Sequence, residues 1–169
     1  MVDTRLPLAK LSRPRLYDPI PRHRLFARLD EARKHPTIWI AGPPGAGKTT
    51  LVATYLQARR IAGGIWYQVD PGDNDPASFF HHLRLAERAL SRVSRRNLLP
   101  LLTAEYLDDI ATFCRRFMRT LFARMPAGSL LVFDNFQELP KESILQASLS
   151  LCVAEIPEHL NVVILSRSP

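Results

Sequence analysis

The stretch TIWIAGPPGAGKTTL, residues 37–51, changes character twice over a short length. Thr37 to Ala41 is a continuous apolar run with β-branched residues, the pattern of a strand buried on both faces. Gly42-Pro43-Pro44-Gly45-Ala46-Gly47-Lys48-Thr49 then matches G-x-x-x-x-G-K-[ST] in full. Lys48 to Arg60 follows with a helical pattern, broken at Gly63-Gly64. The physical content of the motif is backbone geometry. Glycines let the chain curl so that successive N–H groups point at phosphate oxygens, and the helix N-terminus adds partial positive charge. In such a loop Lys48 pairs with the β- and γ-phosphates, the Thr49 hydroxyl ligates Mg²⁺, and Thr50 reaches the α-phosphate. The ligand expected from this stretch is a nucleoside triphosphate, ATP with Mg²⁺.

Outward from the loop, strands and helices alternate. Four prolines, Pro7, Pro14, Pro19 and Pro21, predict an extended arm over residues 1–21, ahead of a nucleotide-binding domain over 22–169. Leu25, Phe26 and Leu29 predict a short helix between Arg22 and Lys34. Ile65 to Val69, Ser129 to Asp134 and Asn161 to Ser166 read as further strands. Ala77 to Val93, Ala104 to Met125 and Lys141 to Ala154 read as helices, with Leu98 to Leu102 ambiguous around Pro100. Apolar strands alternating with helices imply an α/β fold, a parallel sheet covered on both sides.

The composition fits one soluble domain. Among 169 residues, 46% are hydrophobic and 23% charged, with mean hydropathy near zero. No apolar run approaches the roughly 20 residues needed to span a bilayer. The expectation is a cytoplasmic protein with no membrane partner. The net charge is +7, but the arginines are scattered, with pairs at Arg59-Arg60, Arg95-Arg96 and Arg115-Arg116. No basic stripe with interleaved aromatics marks a nucleic-acid surface. Cys114 and Cys152 lie in apolar helical patterns and read as buried thiols.

Leu130 to Asp134 is an apolar strand ending in an acid. This is the Walker B pattern, whose carboxylate orients Mg²⁺ or its waters. Gln68, Asp70, Asp73, Asn74 and Asp75 follow the second strand and read equally as nucleotide-site contacts or as a capped turn before Pro76. Arg167, closing the fourth strand, is a candidate sensor of the γ-phosphate. His81-His82 with Glu87 does not read as a metal site, because adjacent helix residues face different directions.

Four segments together carry a family resemblance: WIAGPPGAGKTTL (39–51), IWYQVDPGDNDPASFF (65–80), LLVFDNFQEL (130–139) and VVILSRSP (162–169). They resemble the nucleotide-binding domain of the MalT-like, large ATP-binding regulators of the LuxR family, among the signal-transduction ATPases with numerous domains. The resemblance covers nearly the whole chain. It implies a three-layer P-loop NTPase core with sheet order 1-4-3-2 and an ATP/ADP switch under Mg²⁺. It assigns phosphate and Mg²⁺ roles to Lys48 and Thr49, the Walker B role to Asp134, a sensor role to Arg167, and an adenine-pocket contact to Arg22.

Two departures bear on function. The family's second acid after the Walker B aspartate is here Asn135, and an amide cannot accept a proton from attacking water. Slow hydrolysis is therefore expected, with Glu138 the nearest other carboxylate in sequence. The family also continues into a fifth strand, a helical lid, a winged-helix region, sensor repeats and an effector module. The chain thus resembles an N-terminal portion, with DNA contact left to other segments. With no fifth strand, Thr37–Ala41 is expected to be an open edge, covered by the proline-rich arm or by a second copy. A nucleotide or metabolite kinase and a non-hydrolysing nucleotide-binding scaffold are the alternative readings on the same core.

Overall fold

A computed structural model describes residues 8–61, 63–90 and 99–168. Strands β1 (Thr37–Ala41), β2 (Gly64–Gln68), β3 (Leu130–Asp134) and β4 (Asn161–Ser166) form one sheet in the order β1-β4-β3-β2. All neighbouring pairs are parallel, with Thr37 opposite Val162, Leu131 opposite Val162, and Gln68 opposite Asp134. Helices α1 (His23–Ala32), α2 (Lys48–Ala58), α3 (Pro76–Leu90), α4 (Ile110–Phe122) and α5 (Ile144–Leu151) cover it. This is the expected α/β architecture and strand order.

Alternation along the strands sorts side chains onto two faces. Trp66, Leu130, Val132, Val163 and Leu165 meet Phe26 and Leu29 of α1 and Val52, Tyr55 and Leu56 of α2. Ile65, Tyr67, Leu131, Phe133 and Val162 meet the opposite layer, where α3 brings Phe79, Phe80 and Leu83 and α4 brings Phe113, Phe117 and Leu121. Both faces of the central strands are therefore apolar and covered, as a parallel sheet requires. The first pair of helices is held by polar contacts too. Asp30 of α1 accepts from the Tyr55 hydroxyl at 2.8 Å and from the Arg59 guanidinium after α2.

Several boundaries differ from the sequence reading, and each difference has a local cause. Ala104–Asp109 is a 3₁₀ segment, and Asp109 then caps α4 by accepting from the Thr112 N–H at 3.0 Å. Ser143 caps α5 by accepting from the Gln146 N–H at 3.1 Å, so the helix begins later than Lys141, and it gives way to a 3₁₀ turn at Cys152–Glu155. Capping side chains set these starts more firmly than apolar periodicity does. The end expected for α3 at Val93, and the Arg95-Arg96 pair, lie outside the described residues.

The edge strand corrects two expectations. β1 is not buried on both faces: Ile38 joins the α1–α2 layer, while Trp39 remains 43% exposed. The reason is position, since β1 has a neighbour on one side only among the described strands. Among the described residues, the arm does not cover this edge. Ala9–Leu11 forms a 3₁₀ turn beside β2, at the other side of the sheet. Lys10 reaches Asp73 at 2.8 Å and Asp70 at 2.8 Å, and Arg13 donates to the Ile61 carbonyl at 3.2 Å.

Gly64 opens β2 at φ +133, and a Cβ there would lie 2.3 Å from the Leu130 carbonyl oxygen. Backbone cannot move aside as a side chain can. Gly64→Ala is therefore expected to lower stability by at least about 2 kcal/mol, seen as a fall in the urea midpoint.

Candidate nucleotide site

The C-terminal ends of the strands bring the chemistry together. β1 ends at Ala41 and the chain turns through the glycine-rich loop into α2. Gly45 and Gly47 lie at φ +80 and +77, a left-handed conformation that L side chains rarely adopt. The Gly42 N–H donates to the Ser166 carbonyl at 3.2 Å, which fastens the loop's entry to the end of β4. Gly47 caps α2 without any side-chain hydrogen bond, so no side chain competes for the helix's first-turn N–H groups. Pro43, Pro44, Ala46 and Thr50 are exposed around this turn.

Lys48 folds back over the loop. Its Nζ donates to the carbonyls of Gly42 at 2.6 Å and Pro43 at 3.1 Å. The Thr49 hydroxyl lies 2.9 and 3.1 Å from the two carboxylate oxygens of Asp134. Asp134 is 5% exposed and also accepts from the Asn135 N–H at 3.0 Å. Burial pushes its carboxyl above the usual range, opposed by the Thr49 hydroxyl, the Asn135 N–H and the Lys48 charge. Asn135 sits at φ +59, a left-handed position that asparagine tolerates better than most residues.

Arg22 and Arg167 flank this centre. Arg22 lies just ahead of α1, and its Nη1 donates to the Ala46 carbonyl at 3.2 Å. Its guanidinium lies 3.0 Å from where a Gly47 side chain would begin. The structure thus sets Arg22 against the phosphate loop itself. Arg167 follows β4, 56% exposed, with Nη2 3.5 Å from Glu138 Oε1. Its backbone N–H donates to Gln137 Oε1 at 3.0 Å, and Gln137 Nε2 donates to Glu138 at 3.2 Å. The turn after β3 therefore holds the end of β4 through side chains that the sequence reading gave no such role.

The acidic block after β2 is a capped turn that anchors the arm. Asp70 accepts from the Gly72 N–H at 2.9 Å, and Asp73 accepts from the Asp70 N–H at 2.9 Å. Asp75 accepts from the Ala77 and Ser78 N–H groups at the start of α3. Asp73 is fully buried and also accepts from the Tyr67 hydroxyl at 2.7 Å and from Lys10. Lys10 holds the Asp70 carboxyl below its ordinary range, and burial raises the Tyr67 phenol. Of the two readings of this block, the observed hydrogen bonds are those of the cap. Glu87 is taken up by an ion pair with Arg124 at 2.8 Å. Among the described residues no group of three or more His, Cys, Asp or Glu side chains is placed to hold a metal.

A parallel sheet in this order, with a left-handed glycine loop after β1 and a carboxylate at the end of β3 touching the threonine that follows the lysine, defines a P-loop NTPase fold. The comparison with known families agrees: the family model for the NACHT domain matches residues 36–168. The chain belongs to the NACHT domain family. It is 30% identical over 162 residues to the HTH-type transcriptional regulator MalT of Cronobacter sakazakii. It is 28% identical to the proteins of that name from Vibrio parahaemolyticus, over 164 residues, and Klebsiella pneumoniae, over 162. Each match covers 95% of this chain and 17% of the relative, so the chain spans about a sixth of their length. The resemblance to MalT-like signal-transduction NTPases therefore holds.

The raised carboxyl of Asp134 has a consequence for stability. A group whose folded pKa lies above its unfolded value stabilises the fold below the unfolded value and loses that contribution as pH rises through the folded one. Ionising Asp134 is thus a cost to the fold. An asparagine keeps an acceptor for Thr49 and removes the charge. Asp134→Asn is expected to stabilise the protein at pH 7 in chelator by up to about 1 kcal/mol, read as a higher thermal midpoint, and to flatten the pH dependence in the acid range.

Proposed function

We propose that this chain is the ATP/ADP-binding switch module of a multidomain transcription regulator, with slow Mg²⁺-dependent hydrolysis. The observation that carries the reading is the contact between Thr49 and Asp134 beside a loop whose two inner glycines are left-handed. A hydroxyl and a carboxylate side by side are the hard oxygen donors that suit Mg²⁺, and the loop's backbone and helix terminus suit phosphate. In this reading Gly42 to Gly47 and the first turn of α2, through Thr50, cradle the phosphates. Lys48 exchanges two carbonyls for phosphate oxygens, and Thr49 and Asp134 hold the cation. Bound Mg²⁺ supplies neutralisation of the phosphate charge. Arg167 senses the γ-phosphate by leaving Glu138, and Arg22, beside the loop at Ala46, contacts the adenine as the resemblance implies.

Turnover is slow in this proposal because Asn135 is an amide. Glu138, the nearest alternative in sequence, faces Arg167 and Gln137 instead. The regulatory setting rests on the relatives' printed name, HTH-type transcriptional regulator. Within it, residues 1–21 form the arm and 22–169 the nucleotide domain. DNA contact belongs to segments outside this chain, and the setting is cytoplasmic. The described residues contain no helix long and apolar enough to cross a membrane. The open side of β1 would be met by further domains of the same protein or by a second copy.

Titration of labelled ATP and ADP, with and without Mg²⁺, tests the reading. Lys48→Ala is expected to weaken binding roughly 10- to 100-fold, the worth of a charged hydrogen bond. Equal binding by both proteins would overturn it. Asn135→Asp restores a carboxylate at a backbone position aspartate tolerates, and it is expected to raise steady-state phosphate release by roughly tenfold or more. An unchanged rate would show that Asn135 does not limit turnover.

A further inference from the structure

Two thiols meet between the helices on one face of the sheet. Cys114 lies within α4, and Cys152 opens the turn that follows α5. Their Sγ atoms are 3.1 Å apart, both buried and both free, although 38 residues separate them in sequence. That spacing leaves about 1 Å to close to a bond of roughly 2.05 Å. The two sulfurs differ in access. Cys114 is fully buried, whereas Cys152 lines a groove of about 160 Å³ with Trp39, Leu149 and Val153, on the side left open by β1. The groove is wide enough for a molecule of a few heavy atoms.

Their acidities differ as well. The hydrogen bond between the two thiols holds the Cys152 thiol below its ordinary range, with the Arg115 charge helping and burial and Glu155 opposing. That same bond and burial push Cys114 up. Cys152 is thus the sulfur that ionises more readily and the one facing the groove.

We propose that Cys114 and Cys152 are a redox-active dithiol that a small hydroperoxide, entering by the groove, converts into a disulfide joining α4 to the end of α5. Cys152 sulfur attacks one peroxide oxygen, the O–O bond breaks, and the departing oxygen takes the Cys152 thiol proton, leaving a sulfenic acid on Cys152. Cys114 sulfur then attacks the sulfenic sulfur. The S–O bond breaks and the hydroxyl leaves as water with the Cys114 proton. Two thiols lose two electrons, and hydrogen peroxide is reduced to two waters. The closed segment contains β3 and Asp134, and the bond ties the helix before β3 to the helix before β4. Such a link restrains the unfolded chain.

The test is native protein treated with stoichiometric hydrogen peroxide, then denatured, alkylated and mapped by mass spectrometry. The expected result is joint loss of both alkylatable thiols, a linked Cys114–Cys152 peptide within one molecule, and reversal by dithiothreitol. The thermal midpoint should rise on oxidation and fall back on reduction. Cys114→Ser should leave a sulfenic acid on Cys152 that dimedone traps, and Cys152→Ser should leave Cys114 unoxidised at the same dose. The wild-type mapping decides the matter even if a variant folds poorly. Two thiols still alkylatable, oxygen added to Cys152 without a link, or links only between molecules would overturn the proposal. So would a linking rate in guanidinium equal to the native rate, where preorganisation predicts at least roughly tenfold slower closure.

Discussion

A strand buried on both faces has only its ends left for polar work. β3 and β4 are sealed between two helical layers, and their apolar side chains leave no room there for an unpaired charge. The chemistry is thus confined to the edge where the parallel strands stop together. Asp134, Ser166 and the turn after Ala41 occupy that edge because β3, β4 and β1 end there in register. The rest of the site follows from how those ends are tied: the Gly42 N–H to Ser166, Thr49 to Asp134, and Gln137 to Arg167.

The same constraint explains what was legible in the sequence. Strands that must be apolar on both faces stand out as uninterrupted runs, so β3 and β4 fall close to the predicted positions, and the edge strands β1 and β2 carry similar runs although Trp39 and Gln68 stay exposed. The loop is legible for a different reason. Left-handed backbone at Gly45 and Gly47 demands glycine, and that demand fixes the spacing of the motif. The strand order came from the resemblance, because no residue pattern states which parallel strands are neighbours. Helix starts were harder. Asp109 and Ser143 lie inside apolar periodic stretches, yet each side chain binds a backbone N–H and begins the helix at its own position.

Contacts between distant parts of the chain left no local mark. Lys10 finds Asp73 across 63 residues, and nothing around a single lysine among prolines announces it. Arg22 was picked out by the resemblance, but its contact with Ala46 depends on how α1 lies against α2. Asp30, Tyr55 and Arg59 settle that arrangement. The acidic block after β2 shows the reverse case. Its carboxylates invited a reading as ligand contacts, but Asp70, Asp73 and Asp75 are occupied by backbone N–H groups, a buried phenol and Lys10.

The sheet order also sets a timetable. β4 is the fourth strand in sequence, yet it lies between β1 and β3 and pairs with both. β2 and β3 can associate as soon as both exist, but β1 has no described strand partner until Asn161–Ser166 emerges. A chain made from its N-terminus therefore carries Thr37–Ala41, an apolar strand, without its β4 partner until more than a hundred further residues have been added. Insertion of β4 closes contacts spanning more than a hundred residues at one stroke, the slow kind of step. The Gly42 N–H finds Ser166 only then, so the phosphate loop gains its anchor to the sheet when β4 pairs with β1 and not before.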